Sequence, residues 1–298
     1  VKRMSYVSVL PAAPVEEAFT YMGEALPGQF VRIPFGRQTI GGLVVEADAP
    51  QSDIPASKIK DIETLDHLGR LSGQSYAQFI HRMAAWTLTP KGQVLRLGLP
   101  SDSLLQAPTR KTKASIPPAT NFAFTPTRLT PDQKAAAARI GDNFQVTLLH
   151  GVTGSGKTEV FFDSVERVLQ DGGQALVMMP EIALTRSFLS RFEVRFGTSP
   201  GLWHSGQTPA RRRAVWQGVL SGQTKLVLGA RSALFLPFSN LRLIVVDEEH
   251  DTSYKQEEGA IYNARDMAVL RAQAAGCPII LSSATPSIET LHNVETGR

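Results

Sequence analysis

Apolar residues in the second half of the chain fall in short unbroken runs separated by longer stretches of helical spacing. The runs are VTLLH at 146–150, ALVMM at 175–179, KLVLG at 225–229, RLIVV at 242–246 and PIILS at 278–282. Runs of this length without polar alternation read as strands buried on both faces. Between them, 159–170, 187–196, 208–221 and 265–275 repeat apolar positions with a helical period. Alternating strands and helices predict βαβ units, and therefore a doubly wound parallel sheet with helices on both faces. Ligands of such sheets bind beyond the carboxyl ends of the strands.

The first part is patterned otherwise. Gln29–Pro34 and Thr39–Val45 read as strands joined by a turn at Phe35-Gly36-Arg37. Over 74–88, QSYAQFIHRMAAWTL sets Tyr76, Phe79, Ile80, Met83 and Trp86 at helical spacing. That predicts a helix whose aromatic face packs on a small sheet. Residues 106–127, QAPTRKTKASIPPATNFAFTPT, have four prolines, no acidic residue and no apolar period. They read as a linker. The expected organisation is a small mainly-β (α+β) domain at 1–105, a basic linker at 106–127 and an α/β domain at 128–298.

Charge changes this picture little. The net charge is +4 and the pI about 9.3, which suggests nucleic acid. Counted by segment, residues 1–105 hold 10 basic and 10 acidic side chains, and residues 129–298 hold 17 of each. The surplus sits at Arg110, Lys111, Lys113 and Arg128, so any basic surface on the folded parts depends on uneven arrangement. A single cysteine, Cys277, excludes an internal disulfide and a cysteine-cluster zinc site. No apolar run approaches the roughly 18 residues of a membrane helix, and a cytoplasmic location is expected.

Two motifs carry chemistry. Gly151-Val-Thr-Gly154-Ser155-Gly156-Lys157-Thr158 fits the phosphate-loop pattern GxxxxGKT and lies between a predicted strand and a predicted helix. Glycines let such a loop wrap until its N–H groups point at phosphate oxygens, and the helix N-terminus adds positive potential. Lys157 is expected on the β- and γ-phosphates of ATP, and the Thr158 hydroxyl on Mg²⁺. Asp247-Glu248-Glu249-His250 follows the strand LRLIVV. Asp247 is expected to hold Mg²⁺, and Glu248 to orient and deprotonate the attacking water. Leu129-Thr130-Pro131-Asp132-Gln133 supports two readings: Gln133 reads the adenine edge, or the segment is a helix start with Thr130 as N-cap.

The D-E-x-H pattern ending in His250, together with Ser282-Ser283-Ala284-Thr285, looks like the superfamily 2 helicases, in which an S-A-T motif links the nucleotide site to the DNA track. GVTGSGKTEV, MPEIALT, WHSG, RSALF, VDEEHDTSYKQEEG, ARDMAVLRA and LSSATPSIETLHNV, in this order, resemble the PriA (primosomal protein N′) family of replication-restart DNA helicases. The resemblance implies a RecA-like domain at 128–298. It implies DNA contacts at Arg231 and in a loop where Tyr254, Lys255, Tyr262 and Arg265 match a segment that senses single-stranded DNA, by stacking and by cationic contact. Ala260 stands where the family often has tryptophan.

The resemblance continues into the first part. There Phe19, Thr20, Gly36 and Lys60 match a pocket for the 3′ end of a nascent strand, with Thr20 where an aspartate is expected. Implied partners are branched and single-stranded DNA with 3′ ends, and primosome and single-strand-binding proteins. Implied departures are the absence of a winged-helix domain from so short a linker, and a second RecA-like domain and a zinc module in a longer protein of which this chain is the N-terminal portion. Two functions are therefore weighed: an ATP-dependent 3′→5′ helicase that recognises stalled forks and D-loops and starts primosome assembly, and a 3′-end-binding module that binds nucleotide without motor activity.

Overall fold

The hairpin expected around Phe35-Gly36-Arg37 is the centre of a five-stranded antiparallel sheet in the computed structural model, which describes residues 5–50, 54–99 and 122–297. Its strands are β1 (Tyr6–Pro11), β2 (Phe19–Met22), β3 (Phe30–Phe35), β4 (Gln38–Glu46) and β5 (Glu63–Thr64), in the order β2-β1-β4-β3-β5. Phe35 pairs with Gln38 across a two-residue turn, and Gly36 takes φ 60 there, a backbone region that glycine enters without strain. Val7, Val9, Tyr21, Val31, Ile33 and Val44 form the core of the sheet. A side chain on Gly42 would come within 2.5 Å of Val9, so glycine lets β1 lie this close to β4.

Helix α1 (Ser75–Thr87) buries Tyr76, Phe79, Ile80, Met83 and Ala84, as its spacing predicts, and α2 (Lys91–Gly98) buries Val94 and Leu95. Trp86 departs from expectation. It lies at the margin of the α1 face in the last turn and is 71 % exposed.

The chain divides into two compact units, and the first is not contiguous. It holds the described residues of Val1–Ile116 together with Thr208–Ser221 and Phe235–Ser239. Trp216, on the helix Pro209–Leu220, is fully buried in it. Its indole N–H donates to the Gly98 carbonyl at 2.8 Å, and its ring meets Phe30 edge-on at 5.0 Å. The Tyr76 hydroxyl donates to the Phe235 carbonyl at 2.8 Å, and the Phe79 and Phe235 rings lie 5.9 Å apart.

The second unit holds the α/β architecture expected from sequence. In chain order its elements are α3 (Pro131–Ala137), β6 (Val146–His150), α4 (Lys157–Gln170), β7 (Gln174–Met178), α5 (Arg186–Phe196) and β8 (Gly201–Trp203). Helix α6, the Pro209–Leu220 segment of the first unit, comes next in the chain. Then follow β9 (Leu226–Gly229), β10 (Leu241–Asp247), β11 (Lys255–Gln256), β12 (Tyr262–Asn263), α7 (Ala264–Ala275), β13 (Ile279–Ser283) and α8 (Ile288–Thr296). Six strands make a wholly parallel sheet in the order β6-β13-β10-β7-β9-β8. The interior strands β7 and β13 are buried at every residue, which is why they read as unbroken apolar runs.

The linker expected at 106–127 lies outside the described residues up to position 121. Its last residues run along the end of α5. Ala123 and Thr125 donate to the Phe196 and Arg195 carbonyls at 3.0 and 2.9 Å, and Phe122 and Phe124 pack on the core of the second unit.

Candidate functional site

Strand β6 delivers the glycine-rich loop to the carboxyl edge of the parallel sheet, and α4 starts where the loop ends. Gly154 and Gly156 take φ 84 and 83, and Gly156 is the residue that precedes α4. A side chain on Gly156 would lie 2.2 Å from the Gln133 amide nitrogen. The Lys157 ammonium donates back to the Gly151 and Val152 carbonyls at 2.6 and 3.2 Å. Both ends of the loop are therefore fixed, with the free N–H groups of the first turn of α4 at its centre. Thr158, in that turn, is half-buried.

Gln133 forms a capping box with Thr130. The Gln133 N–H donates to the Thr130 hydroxyl at 3.3 Å, and the Thr130 N–H donates to the Gln133 side-chain oxygen at 2.9 Å. Its NH₂ group donates to the Ser155 carbonyl at 3.0 Å. The helix-start reading of this segment thus accounts for its geometry, and the same side chain braces the phosphate loop.

Register brings the acidic motif to the same edge. Asp247 at the end of β10 is paired with Ser282 on β13, whose hydroxyl donates to the carboxylate at 2.8 Å. Burial pushes the Asp247 carboxyl above the ordinary aspartate range, the Ser282 hydroxyl offsets part of this, and neighbouring Glu248 raises it further. Lys157 acts electrostatically on Asp247 in the opposite sense, so the loop and the acidic strand end share one site. Glu248 has φ 49. For a non-glycine residue this left-handed backbone stores strain of order 1–3 kcal/mol, here at the position expected to act as the base. His250 lies with Nδ1 2.8 Å from the Ser283 hydroxyl and 3.6 Å from Glu248.

Three residues expected to touch DNA are interior here. Tyr254 is 1 % exposed and donates its hydroxyl to the Asp247 carbonyl at 2.7 Å. Tyr262 is 8 % exposed, and burial pushes its phenol up to about 12. Arg265 is 9 % exposed and pairs with buried Glu249 at 3.1 Å and with Asp266 at 2.8 Å. Stacking needs an open ring face and phosphate contact needs an open guanidinium, so the expected contacts are corrected to packing and bracing in this arrangement. The exposed side chains of the loop are Thr252, Ser253, Lys255, Glu257, Glu258 and Ile261. Arg231 is half-buried and donates to the Ser253 and Lys255 carbonyls at 3.2 and 2.5 Å, which pins the start of the loop.

Sequence reasoning passed over two acidic side chains. Glu249 accepts from Ser287 N–H at 2.7 Å and from Thr290 at 3.0 Å. Glu181 accepts from the Ser205 N–H and hydroxyl at 3.0 and 2.5 Å, which hold its carboxyl below the usual range. Residues PEIALT and WHSG are joined by that contact.

In the first unit the structure brings Phe19 of β2 edge-on to Phe35, with ring centroids 5.8 Å apart, beside the open turn at Gly36. Phe19 is 44 % exposed. Lys60 is exposed, and its carbonyl accepts from Met22 N–H at 2.9 Å, which ties it to the far end of β2. Thr20 is half-buried and pairs with Ser8 across β1 and β2.

The sequence profile described as DEAD/DEAH box helicase matches residues 130–294, and that described as 3′ DNA-binding domain matches residues 8–100. The replication restart protein PriA of Rickettsia conorii is 41 % identical over 271 residues, covering 91 % of this chain and 41 % of that protein. The Treponema pallidum protein of the same name is 34 % identical over 296 residues, covering 95 % of this chain and 44 % of its own length. The chain thus spans less than half the length of these relatives. Among solved structures, the Pyrococcus furiosus Hef helicase domain is 18 % identical, with a TM-score of 0.42 over 55 % of this chain and 35 % of that one.

Proposed function

We propose, from the premise that this chain belongs to the DEAD/DEAH box helicase family, that it is the nucleotide-binding part of an ATP-driven DNA motor joined to a module that receives DNA 3′ ends. One observation carries the reading: the phosphate loop and the half-buried Asp247 carboxylate share the carboxyl edge of one parallel sheet.

The residues fit MgATP. Asp247 is a half-buried carboxylate with raised proton affinity and the Ser282 hydroxyl as donor. Such a group favours a cation beside it. Thr158 and Asp247 would hold Mg²⁺, and the ion would neutralise charge on the phosphates. The N–H groups of Gly154, Ser155, Gly156 and Lys157 would donate to phosphate oxygens, with the Ser155 N–H leaving the Val152 carbonyl and the Lys157 ammonium leaving the Gly151 and Val152 carbonyls to do so. Glu248 would orient water, and His250 with Ser283 would carry the state of the site to the S-A-T segment.

For the whole protein the similarity to PriA supports an ATP-dependent 3′→5′ helicase of replication restart acting on stalled forks and D-loops, with primosome and single-strand-binding proteins as partners and a zinc module elsewhere in the longer protein. No helix among the described residues is long and apolar enough to cross a membrane. A second reading applies to the chain by itself: a 3′-end-binding module that holds nucleotide without motor activity. The exposed Phe19 ring beside Gly36 favours it.

Calorimetric titration with MgADP, and with ADP in excess chelator, tests the nucleotide site. Binding that weakens without magnesium is expected. No binding in either titration would remove nucleotide from the account.

A further inference from the structure

Helix α6 carries Arg211, Arg212 and Arg213 near its amino end and has no acidic residue. Outside this helix, the described residues of the first unit hold 8 basic and 8 acidic side chains. The three arginines are therefore the whole cationic surplus among the described residues of that unit, and they are consecutive.

Their placement works against the helix. The amino end of a helix has positive potential, which favours carboxylates and disfavours cations. The cap itself is ordinary. The Thr208 hydroxyl accepts from Arg211 N–H at 3.3 Å, the Thr208 carbonyl accepts from Arg212 N–H at 2.9 Å, and Pro209 has no N–H to place. Among the described residues, neither Arg211 nor Arg213 forms an ion pair.

Packing accounts for part of the cluster. At about 100° per residue, Arg212 and Arg213 flank the stripe of Trp216 and Leu220. Both are half-buried, and their stems suit that apolar surface. Burial pushes the Arg212 guanidinium below the ordinary arginine range. Packing does not reach Arg211, which is exposed and lies on the far side of the helix from Trp216. Nor does it require guanidinium groups, since a lysine stem covers apolar surface as well.

Together the three side chains fan over roughly 200° of the helix circumference. A single small anion meets one or two of them. A polyanion meets all three, and duplex DNA carries one charge per ~1.7 Å of its axis. The planar fork of guanidinium also matches phosphate oxygens better than an ammonium does.

We propose that Arg211, Arg212 and Arg213 are a contact surface of the first unit for the phosphodiester backbone of duplex DNA. This goes beyond the strand-end reading of Phe19, Gly36 and Lys60, and it rests on DNA being the partner. The surface reads no base edge, so it positions the protein on a duplex without sequence preference.

The test measures DNA affinity of the whole chain across a salt series. The probe is a labelled blunt duplex with both 3′ ends phosphorylated, which suppresses strand-end recognition. Each phosphate contact adds about 0.9 to the slope of log affinity against log salt. The double variant Arg211→Gln, Arg213→Gln should bind roughly tenfold or more weakly at low salt and lose about 1.8 from the slope. Arg211→Gln alone, at an exposed position, should lose about 0.9, and it decides the matter should the double variant fail to fold. Lysine at both positions should keep the slope and lose part of the affinity, because charge remains and the fork does not. MgADP affinity should be the same in all. Unchanged DNA affinity and slope in folded variants overturn the proposal. So does loss of polyglutamate binding with DNA binding intact, which would give the surface to an acidic protein. Wild type that binds a free 3′ end but not the blocked duplex sinks this inference alone. Wild type that binds neither sinks the DNA reading as well.

Discussion

The two units build their candidate sites by different means. In the second, every group proposed for nucleotide sits at one edge of a parallel sheet, held by strand register, a helix N-terminus and a capping box. In the first, the candidate groups lie on a short edge strand and an open turn, with one aromatic ring half in water. Recognition of a triphosphate demands fixed N–H groups and a fixed cation. Recognition of a strand end demands shape and a stacking face, which several residue types can supply. The nucleotide site is therefore constrained by residue type and the strand-end site by surroundings.

That contrast can be broken at several points. The largest effect is expected from Trp216→Ala. Trp216 belongs to the core of the first unit, so its loss should cost about 3–5 kcal/mol, read as a lower urea midpoint, with MgADP binding to the folded fraction retained. Equal damage to nucleotide binding would mean the two sites are not separable. Lys157→Ala should do the reverse. Removing charge-assisted bonds of about 1.5–3 kcal/mol weakens MgADP roughly 10–100-fold, seen by calorimetry, and leaves oligonucleotide binding unchanged.

A smaller effect separates 3′ ends. With Thr20 in place of an acidic residue, blocking the 3′ hydroxyl with phosphate should cost within about 1–2 kcal/mol, as for one neutral hydrogen bond. Equal affinity for both ends would take the pocket out of the first unit. The smallest effect concerns buried Tyr262. Its folded phenol is raised to about 12, against about 10 unfolded. The unfolded chain therefore loses this proton first, and the stability it carries falls as pH rises from about 10 to 12. The stability difference between wild type and Tyr262→Phe should change across that window and stay flat below it. A constant difference would mean the ring is open to solvent and free to stack on DNA.

The sequence reading was strongest where one physical demand dictates the pattern. Strands buried on both faces had to be apolar throughout, so β7, β9, β13 and most of β10 were legible; β6, expected to be buried, is an edge strand whose residues are exposed or half-buried, and only its apolar run marked it. The phosphate loop was legible because few residue types wrap so tightly. Elements that lean on distant partners were not. Strand β8 is only three residues long, and β2 is a short strand whose pairing with β1 sets its place. The buried face of α6 holds Val215, Trp216, Val219 and Leu220 crowded into its last turns behind three arginines, so its allegiance to the first unit leaves no local trace. Tyr254, Tyr262 and Arg265 matched a DNA-sensing segment by type, but whether a ring faces solvent or the interior is decided by what packs over it. Glu249 was hidden for the same reason: its partners lie 16 to 41 residues away.

The scattered membership of the first unit bears on how the protein is born. Trp216 and Phe235 close its interior, and a ribosome adds about 190 residues after Glu46, the end of β4, before both exist. At about 5–20 residues per second, the early strands wait on the order of ten seconds or more for their last partners. During that interval the apolar faces of β3 and α1 depend on temporary cover. A cut of the gene after the codon for Leu105 would make that wait permanent.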